Sequence, residues 1–269
     1  MSSPLPLPVR VLVKGASTVN WVSYMGGPRT DFIFPRFIEQ KLLAQGRPFD
    51  VETRSMRSQR ASTVLRTWQA EVLGFSPDVI VLVYGHYETI HLFLPHWLEV
   101  HANSFRGRPR AYARAYRRLV LRPAWRILAR VQAKVDTSVP PTVRRRDRTV
   151  AADLREYIGH VQKVGSPLVL VLELLPPGTR YRSWFPGMTR RIEVMNRTLH
   201  DLVTGLGRDN VRYVRVGEIV DEHIGDLDTA VPDGFHYSPE LHRQVGARLA
   251  REIDAWASTQ THLTSGSGG

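Results

Sequence analysis

The sequence predicts an α/β fold built on a parallel sheet of five strands. Five short runs rich in β-branched or aliphatic residues alternate with segments of helical period. Strands that alternate with helices in this way form a parallel sheet through right-handed crossover connections. Three of the runs are almost continuously apolar, which is typical of strands covered by helices on both faces. No internal repeat or long linker divides residues 1–256, so we expect a single domain.

The predicted strands are short and bounded by turn-forming residues. They cover Val9–Lys14, Phe49–Thr53, Asp78–Tyr84, Pro167–Leu174 and Val211–Val216.

The segments between the strands carry apolar stripes at helical spacing. The predicted helices cover Pro35–Ala44, Ser62–Leu73, Ala151–Val164 and Thr189–Leu206. A final helix begins with Ser238 followed by Pro239, a capping residue and then a proline at the first helical position. Residues 257–269 are rich in Ser, Thr and Gly, and we expect a flexible tail there.

The segment His91–Arg148 is too long for an ordinary connection between the third and fourth strands, and it is strongly basic. From His101 onward it holds thirteen arginines and one lysine against two aspartates, a segment charge of +12. This equals the net charge of the whole chain. Its pattern predicts a helix over Ala111–Val135, interrupted by Pro123. Because it leaves the sheet at the carboxyl end of a strand, where open α/β sheets bind ligands, we expect it to form a lid.

The overall composition excludes several classes of protein and site. With 42% hydrophobic residues the chain can build a sizeable core, and no apolar run approaches the roughly 18 residues of a membrane-spanning helix. The first eight residues lack the features of a secretory signal, so we expect a cytoplasmic protein. The absence of cysteine excludes disulfides, thiol nucleophiles and cysteine metal sites.

Two short motifs carry the candidate chemistry. Ser17 follows the first strand through Gly15-Ala16, which places it at the carboxyl edge of the sheet. Asp233 and His236 lie three residues apart in a turn directly before the last helix. A carboxylate can hold an imidazole in one tautomer while the other ring nitrogen takes a serine proton. A capping serine and a polar turn would explain Ser17 and Asp233 separately, but they give no reason for His236.

These residues resemble the blocks of the SGNH hydrolase superfamily, the GDSL-like lipases and esterases. The first block, Gly-Asp-Ser, appears as Gly15-Ala16-Ser17, and the last, Asp-x-x-His, as Asp233 to His236. The stretch Ser76–Gly85 is similar to the third strand that leads into the family's Gly-x-Asn-Asp block. The resemblance covers roughly residues 9–90 and 165–257. It implies a flavodoxin-like three-layer sandwich, with Ser17 as nucleophile, His236 as base and Asp233 orienting His236.

The blocks that supply the oxyanion donors depart from the family pattern. Ser58 stands where the second block usually has a glycine, although its backbone N–H can still donate, as can that of Ser17. The third block reads Gly85-His86-Tyr87-Glu88, with Tyr87 in the place of the donating asparagine. The Tyr87 hydroxyl or the His86 imidazole is therefore expected to supply the missing donor, and Tyr87 is favoured by its position. Packing of Tyr87 as an aromatic of the cleft wall is the alternative.

Other kinds of site find little support. His86, His91, His96 and His101 recur every five residues, which scatters them around a helix and gives no metal-binding face. No Gly-x-Ser-x-Gly elbow, dinucleotide fingerprint or phosphate-binding glycine loop is present. We therefore expect neither a metal nor a cofactor.

The basic insertion suggests an anionic partner. Acyl-carrier protein, coenzyme A and an acidic membrane surface are all compatible with arginines interleaved with aromatic and aliphatic residues. The run Arg144, Arg145 and Arg146 is the candidate contact. A solvated surface is the alternative, and nucleic acid has no motif to support it.

The sequence thus predicts a hydrolase of a small-molecule or lipid-like acyl ester or thioester, acting through an acyl-enzyme on Ser17. An acyltransferase would use the same acyl-enzyme and deliver it to an alcohol or amine. A catalytically weak scaffold that binds an anionic partner is the alternative outside enzymes.

Overall fold

The α/β fold with a parallel sheet is confirmed in a computed structural model, which describes residues 7–23, 27–56, 59–90, 111–138, 141–182 and 187–264. Within these residues five parallel strands form the main sheet. They are β1 (Val9–Gly15), β4 (Phe49–Ser55), β5 (Val79–Val83), β6 (Leu168–Leu172) and β7 (Val211–Val214). A small antiparallel hairpin pairs β2 (Trp21–Val22) with β3 (Gly27–Pro28). Each predicted strand ends within two residues of its observed bounds.

The strands lie in the order β4–β1–β5–β6–β7. The chain therefore proceeds from β1 to one neighbour, β4, and crosses back to the other side of β1 to form β5. In doubly wound sheets this reversal opens a crevice beyond the carboxyl ends of the strands, where ligands bind. Here the crevice lies beyond the ends of β1 and β5.

Helices cover both faces of the sheet, as the apolar strands predict. The described helices are α1 (Ser17–Asn20), α2 (Phe34–Ala44), α3 (Thr63–Trp68, continued by a π-helical turn, Gln69–Leu73), α4 (His86–Ile90), α5 (Ala111–Tyr116), α6 (Arg122–Ser138), α7 (Pro141–Val164), α8 (Met188–Leu206), α9 (Val216–His223), α10 (Leu227–Ala230), α11 (Pro239–Ala257) and α12 (Thr261–Thr264). The residues Thr179–Tyr181 form a short 3-10 turn.

Alternate strand residues build two separate cores, because successive side chains of a strand point to opposite faces. Val11 and Val13 of β1 join one core with buried residues of α2, α9 and α11. Leu12 joins the other core with buried residues of α3, α7 and α8. The result is a sandwich of three layers, helices on sheet on helices.

The basic insertion contains a long helix, as its sequence pattern predicts, with one departure from α-helical geometry. A π-helical turn, Arg117–Leu121, joins α5 to α6, and Pro123 stands at the second residue of α6. The α-helix is therefore interrupted close to the predicted position, by the π-helical turn that ends two residues before Pro123. Proline is tolerated there because it lies in the first turn of the α-helical segment that follows the π turn. Residues 91–110, the first part of the predicted insertion, lie outside the described residues.

The end of the insertion and the chain's tail also differ from the prediction. Helix α7 starts at Pro141, ten residues before the predicted Ala151, and Asp147 and Val150 are already buried against the domain. The predicted boundary at Arg148 therefore falls inside a packed helix. The predicted flexible tail is wrong up to residue 264, because Leu263 is 2% exposed and packs into the core beside α11. Residues 265–269 lie outside the described part of the chain.

Candidate active site

Ser17 lies at the carboxyl edge of the sheet because the chain turns sharply after β1. A Cβ on Gly15 would come within 2.6 Å of the Val19 side chain and 2.7 Å of the Val83 carbonyl oxygen, so only glycine fits there. After Gly15 the backbone enters α1, where the Val19 N–H donates to the Ala16 carbonyl at 3.1 Å. Ser17 is the first residue of this helix, next to the end of β5.

The turn before α11 is organised by Asp233. Its Oδ1 accepts the backbone N–H groups of Phe235 at 3.0 Å and His236 at 2.8 Å. Its Oδ2 lies 2.7 Å from His236 Nδ1. The helix that follows is capped by Ser238, as predicted, with the Ser238 hydroxyl accepting the Leu241 N–H at 3.2 Å. The carboxylate thus holds both the turn and the imidazole ring.

The structure brings Ser17 and this turn together across 219 residues of sequence. His236 Nε2 lies 3.0 Å from Ser17 Oγ, on the opposite side of the ring from Asp233. Burial raises the pKa of Asp233, but the hydrogen bond and charge of His236, with the two backbone donors, outweigh burial and hold that pKa below its usual value. Asp233 is therefore ionised and accepts the Nδ1 proton. This leaves the Nε2 lone pair directed at the Ser17 hydroxyl.

His236 is also held by a stacking contact on its ring and by hydrogen bonds to the backbone around it. Trp21 of β2 stacks on the His236 ring, with centroids 5.3 Å apart and an interplanar angle of 28°. The Ser23 hydroxyl donates to the His236 carbonyl at 2.9 Å, and the Ser23 N–H donates to the Tyr237 carbonyl at 3.0 Å. The segment after the serine therefore packs directly on the turn that carries the histidine.

His242 of α11 supports Trp21 in turn. Its Nδ1 accepts the Phe34 N–H at 3.1 Å, so its Nε2 carries the proton and donates to the Trp21 carbonyl at 3.3 Å. Burial lowers the pKa of His242 to about 3, so the ring is neutral at neutral pH.

The end of β5 forms the floor of the site. Gly85 has a φ of +109°, and a Cβ there would lie 3.0 Å from Met195 Cγ, so the third block requires its glycine. His86 is buried, with Nδ1 3.5 Å from Thr18 Oγ1 and its ring edge-on to Phe235. Burial, and next the charge of His236, lower the pKa of His86 to about 4. A neutral His86 therefore stands beside the residue that follows Ser17.

Tyr87 and Glu88 connect this floor to the segment after β4. The Arg60 guanidinium lies 5.7 Å above the centre of the half-buried Tyr87 ring. Glu88 Oε1 accepts the Ala61 N–H at 2.7 Å, and burial raises the pKa of Glu88. Ser58, the residue predicted to offer a backbone donor, lies outside the described residues.

Solved structures with the same arrangement of strands and helices are numerous. A lipase/acylhydrolase from Enterococcus faecalis superposes with a TM-score of 0.58 at 14% identity, covering 92% of this chain and 96% of its own. Est24, a carbohydrate acetylesterase from Sinorhizobium meliloti, gives 0.56 at 15% identity over 92% and 99%. A GDSL-like lipase from Bacteroides thetaiotaomicron gives 0.53 at 12% identity over 92% and 88%.

The chain has the GDSL-like hydrolase fold. No family model and no curated protein sequence matches it. At such low identity the likeness rests on the arrangement of the elements.

The basic run near the start of α7 contacts helix α4. Arg146 Nη1 lies 3.5 Å from the Glu88 carbonyl oxygen, so this arginine is half-buried against the floor of the site. The side chains of Arg144 and Arg145 lie outside the description. Among the residues that are described, no group of three or more His, Asp or Glu could hold a metal ion, and no helix is long and apolar enough to span a membrane.

Sequence reasoning missed the residues that brace His236 in this GDSL-like fold. Trp21 stands only four residues after Ser17, and His242 lies among the apolar positions of α11. A histidine inside an apolar stripe and a tryptophan close to a nucleophile were the available signals. Neither signal identifies the contact that follows: Trp21 stacks on the His236 ring, and His242 donates to the Trp21 carbonyl.

Proposed function

We propose that the protein is a serine hydrolase that cleaves a carboxylic ester or thioester through an acyl-enzyme on Ser17. The observation that carries this proposal is the chain of contacts from Ser17 Oγ to His236 Nε2 at 3.0 Å and from His236 Nδ1 to Asp233 Oδ2 at 2.7 Å. A serine within hydrogen-bonding reach of an oriented base is the arrangement that activates a hydroxyl as a nucleophile.

Each of the three residues has one role in the proposed reaction. His236 Nε2 takes the Ser17 proton as Oγ attacks the acyl carbon, and the proton then passes to the leaving alcohol or thiol. Water next attacks the acyl-enzyme and gives a proton to His236, which returns it to Ser17 Oγ as the acid is released. Asp233 stays ionised, holds the Nδ1–H tautomer and stabilises the imidazolium that forms in both steps.

The attack places negative charge on the acyl oxygen, and donors must be aimed at it. We assign two donors to the backbone N–H groups of Ser17 and Ser58, and the third to the Tyr87 hydroxyl. His86 is the alternative third donor, because a neutral imidazole retains one N–H. Gly85 serves this arrangement by permitting the turn that leads into α4.

The acyl ester class is supported by the names of the structures that share the fold, which include lipases, an acylhydrolase and a carbohydrate acetylesterase. An acyltransferase would use the same acyl-enzyme, with an alcohol or amine in the place of water. The two differ only in what the second half-reaction admits to the site.

Labelling with a fluorophosphonate tests the nucleophile, because this reagent forms a stable adduct with an activated serine. We expect one adduct per chain, on Ser17, and neither labelling nor ester turnover in Ser17→Ala. His236→Ala should lose nearly as much activity, because serine and base act as a unit, and Asp233→Asn should lose less. Ser62→Ala is the matched control, since Ser62 is exposed and its side chain makes no capping hydrogen bond.

The outcomes separate the candidate functions. Full turnover in a folded Ser17→Ala protein would refute the proposal. Lack of labelling in the unmodified chain, with no turnover of activated esters, would instead support a scaffold that only binds. If labelling occurs, product analysis with and without an added alcohol or amine separates hydrolysis from acyl transfer.

A further inference from the structure

Helices α5 and α6 with the π-helical turn between them form a continuous helix of 28 residues, about 42 Å long, within the basic insertion. It carries large apolar side chains in solvent: Leu119 is 71% exposed, Ile127 61% and Val131 52%. Tyr112, Val120 and Leu128 are also exposed. Single exposed apolar residues are ordinary, but several on one helix mark an interaction surface.

The π-helical turn keeps these apolar residues on one side. Leu119 and Ile127 are eight residues apart, so in an uninterrupted α-helix their directions would differ by about 80°. A π-helical turn contains one extra residue, which sets the following helix back by about 100°. Leu119 and Ile127 then lie within roughly 20° of each other. Tyr112, seven residues before Leu119, and Val131, four after Ile127, extend the same stripe.

The same turn keeps the charged residues on the other side. Basic residues recur every fourth position, at Arg114, Arg118, Arg122, Arg126, Arg130 and Lys134, and all are exposed. Without a break this row would wind through about 200° and cross the apolar stripe. With the π turn, the row from Arg114 to Arg130 stays on the half of the helix opposite the stripe. The long helix is therefore amphipathic from Tyr112 to Val131.

We propose that this helix, residues 111–138, binds the surface of an anionic lipid bilayer, with its apolar stripe in the interface and its arginines at the headgroups. Six arginines and one lysine against one aspartate give the segment a charge of +6, which complements an acidic surface. Like charge opposes pairing with the same helix of a second copy. A nucleic acid would use the arginines but leave the apolar stripe in water. A basic face joined to an apolar face is typical of interfacial helices.

The proposal is tested by co-sedimentation with vesicles, without any measurement of activity. Binding is expected to vesicles of phosphatidylcholine mixed with phosphatidylglycerol, and to be far weaker with phosphatidylcholine alone. Each basic residue near an anionic surface contributes roughly fivefold to partitioning, so Arg118→Gln, Arg122→Gln and Arg126→Gln together should weaken binding on the order of a hundredfold. Raising salt should weaken binding as well, because it screens the charges.

Two matched variants test whether vesicle binding depends on this helix and not on the total charge of the protein or on catalysis. Arg66→Gln, Arg190→Gln and Arg251→Gln remove the same charge from exposed positions elsewhere and should bind within a few-fold of the unmodified chain. Ser17→Ala should bind as well as the unmodified protein, so failure of the proposed catalysis leaves this test intact.

Insertion of the stripe is tested by a single introduced thiol, since the chain has no cysteine of its own. An environment-sensitive fluorophore on Val131→Cys should shift to the blue when anionic vesicles are added, whereas one on Arg122→Cys should change little. The double variant Leu119→Ser/Ile127→Ser should lose most of its binding to anionic vesicles. Circular dichroism establishes that this variant keeps its helices.

Four results would overturn the proposal: no binding to the anionic vesicles, equal loss of binding in the two arginine sets, equal shifts at the two labels, or unchanged binding of the serine variant. A dimer in solution that the serine variant dissociates would assign the stripe to a second copy instead. Binding of an acidic carrier protein or coenzyme A that depends on the arginines but not on the stripe, without vesicle binding, would assign the surface to that partner.

Discussion

The buried neutral ring of His242 should make the stability of the protein depend on pH in a measurable way. Its pKa is lowered to about 3 by burial, whereas in the unfolded chain it returns to about 6.5. Between these values the unfolded chain binds a proton that the folded protein rejects, so the free energy of unfolding falls as pH falls. From pH 7 to pH 5 this single group should remove about 2 kcal/mol of stability.

The perturbation is His242→Asn, which keeps an acceptor for the Phe34 N–H and removes the titrating ring. At neutral pH the variant should be less stable by roughly 1–3 kcal/mol, because the partly buried Trp21 carbonyl loses its donor. Between pH 7 and pH 5, however, it should lose about 2 kcal/mol less than the unmodified protein. The two urea-unfolding curves should therefore converge as the solution is acidified.

Urea unfolding at several pH values in this window measures both effects. His86 makes a contribution of the same sign, because its pKa is also lowered, and Glu88 opposes them, because burial raises its pKa. Both are unchanged in the variant, so the difference between the curves isolates His242. His200→Asn, at an exposed position on α8, is the control and should follow the unmodified protein. Parallel loss of stability in His242→Asn and the unmodified protein would refute the neutral assignment.

Three further predictions concern the site and the core beneath it. Tyr87→Phe should lower kcat by roughly tenfold or more with little change in KM, if its hydroxyl donates to the oxyanion; an unchanged kcat would leave the ring a packing role. Trp21→Ala should slow fluorophosphonate labelling by about ten- to a hundredfold, because the His236 ring loses its stacking partner; labelling at the normal rate would show that the ring is held without it. The buried Lys14 side chain forms an ion pair with Glu71. Lys14→Met should therefore lower the free energy of unfolding in urea by about 3–5 kcal/mol, and Glu71→Leu in the same chain should restore most of it; a double variant as unstable as the single one would contradict a specific pair.

The strands and helices could be predicted wherever the hydrophobic pattern of a segment matches its burial in the fold. The three inner strands, β1, β5 and β6, are almost continuously apolar because both faces of the sheet are covered there, and that pattern is visible without knowing the fold. The residues Ser17, Asp233 and His236 were predictable as candidates because their motifs sit at a strand end and a helix start. Their contact was implied by the family resemblance and not by the local pattern, since it depends on the sheet order that brings the end of β1 beside the turn before α11.

The features that sequence reasoning missed depend on tertiary contacts between distant residues. Lys14 ends a predicted strand, yet its side chain is fully buried and paired with Glu71, 57 residues away, and burial lowers its pKa. The polar tail before residue 264 is held by one apolar side chain, Leu263, that fills the core beside α11. A pattern read along the chain shows the residue type in each case but carries no information about its partner.

The two departures from the family pattern meet in space, which neither shows alone. Tyr87 and Glu88 lie in the altered third block, and Arg146 lies in the helix that continues the insertion. Helix α7 packs on α4, and the Arg146 guanidinium reaches the Glu88 carbonyl, while the Glu88 carboxylate holds the Ala61 N–H. The floor of the site is therefore braced from one side by the insertion and from the other by the segment after β4. In the proposed mechanism Tyr87 of α4 donates to the oxyanion and must keep its place within fractions of an ångström, so we expect a displacement of α7 to lower the reaction rate through α4.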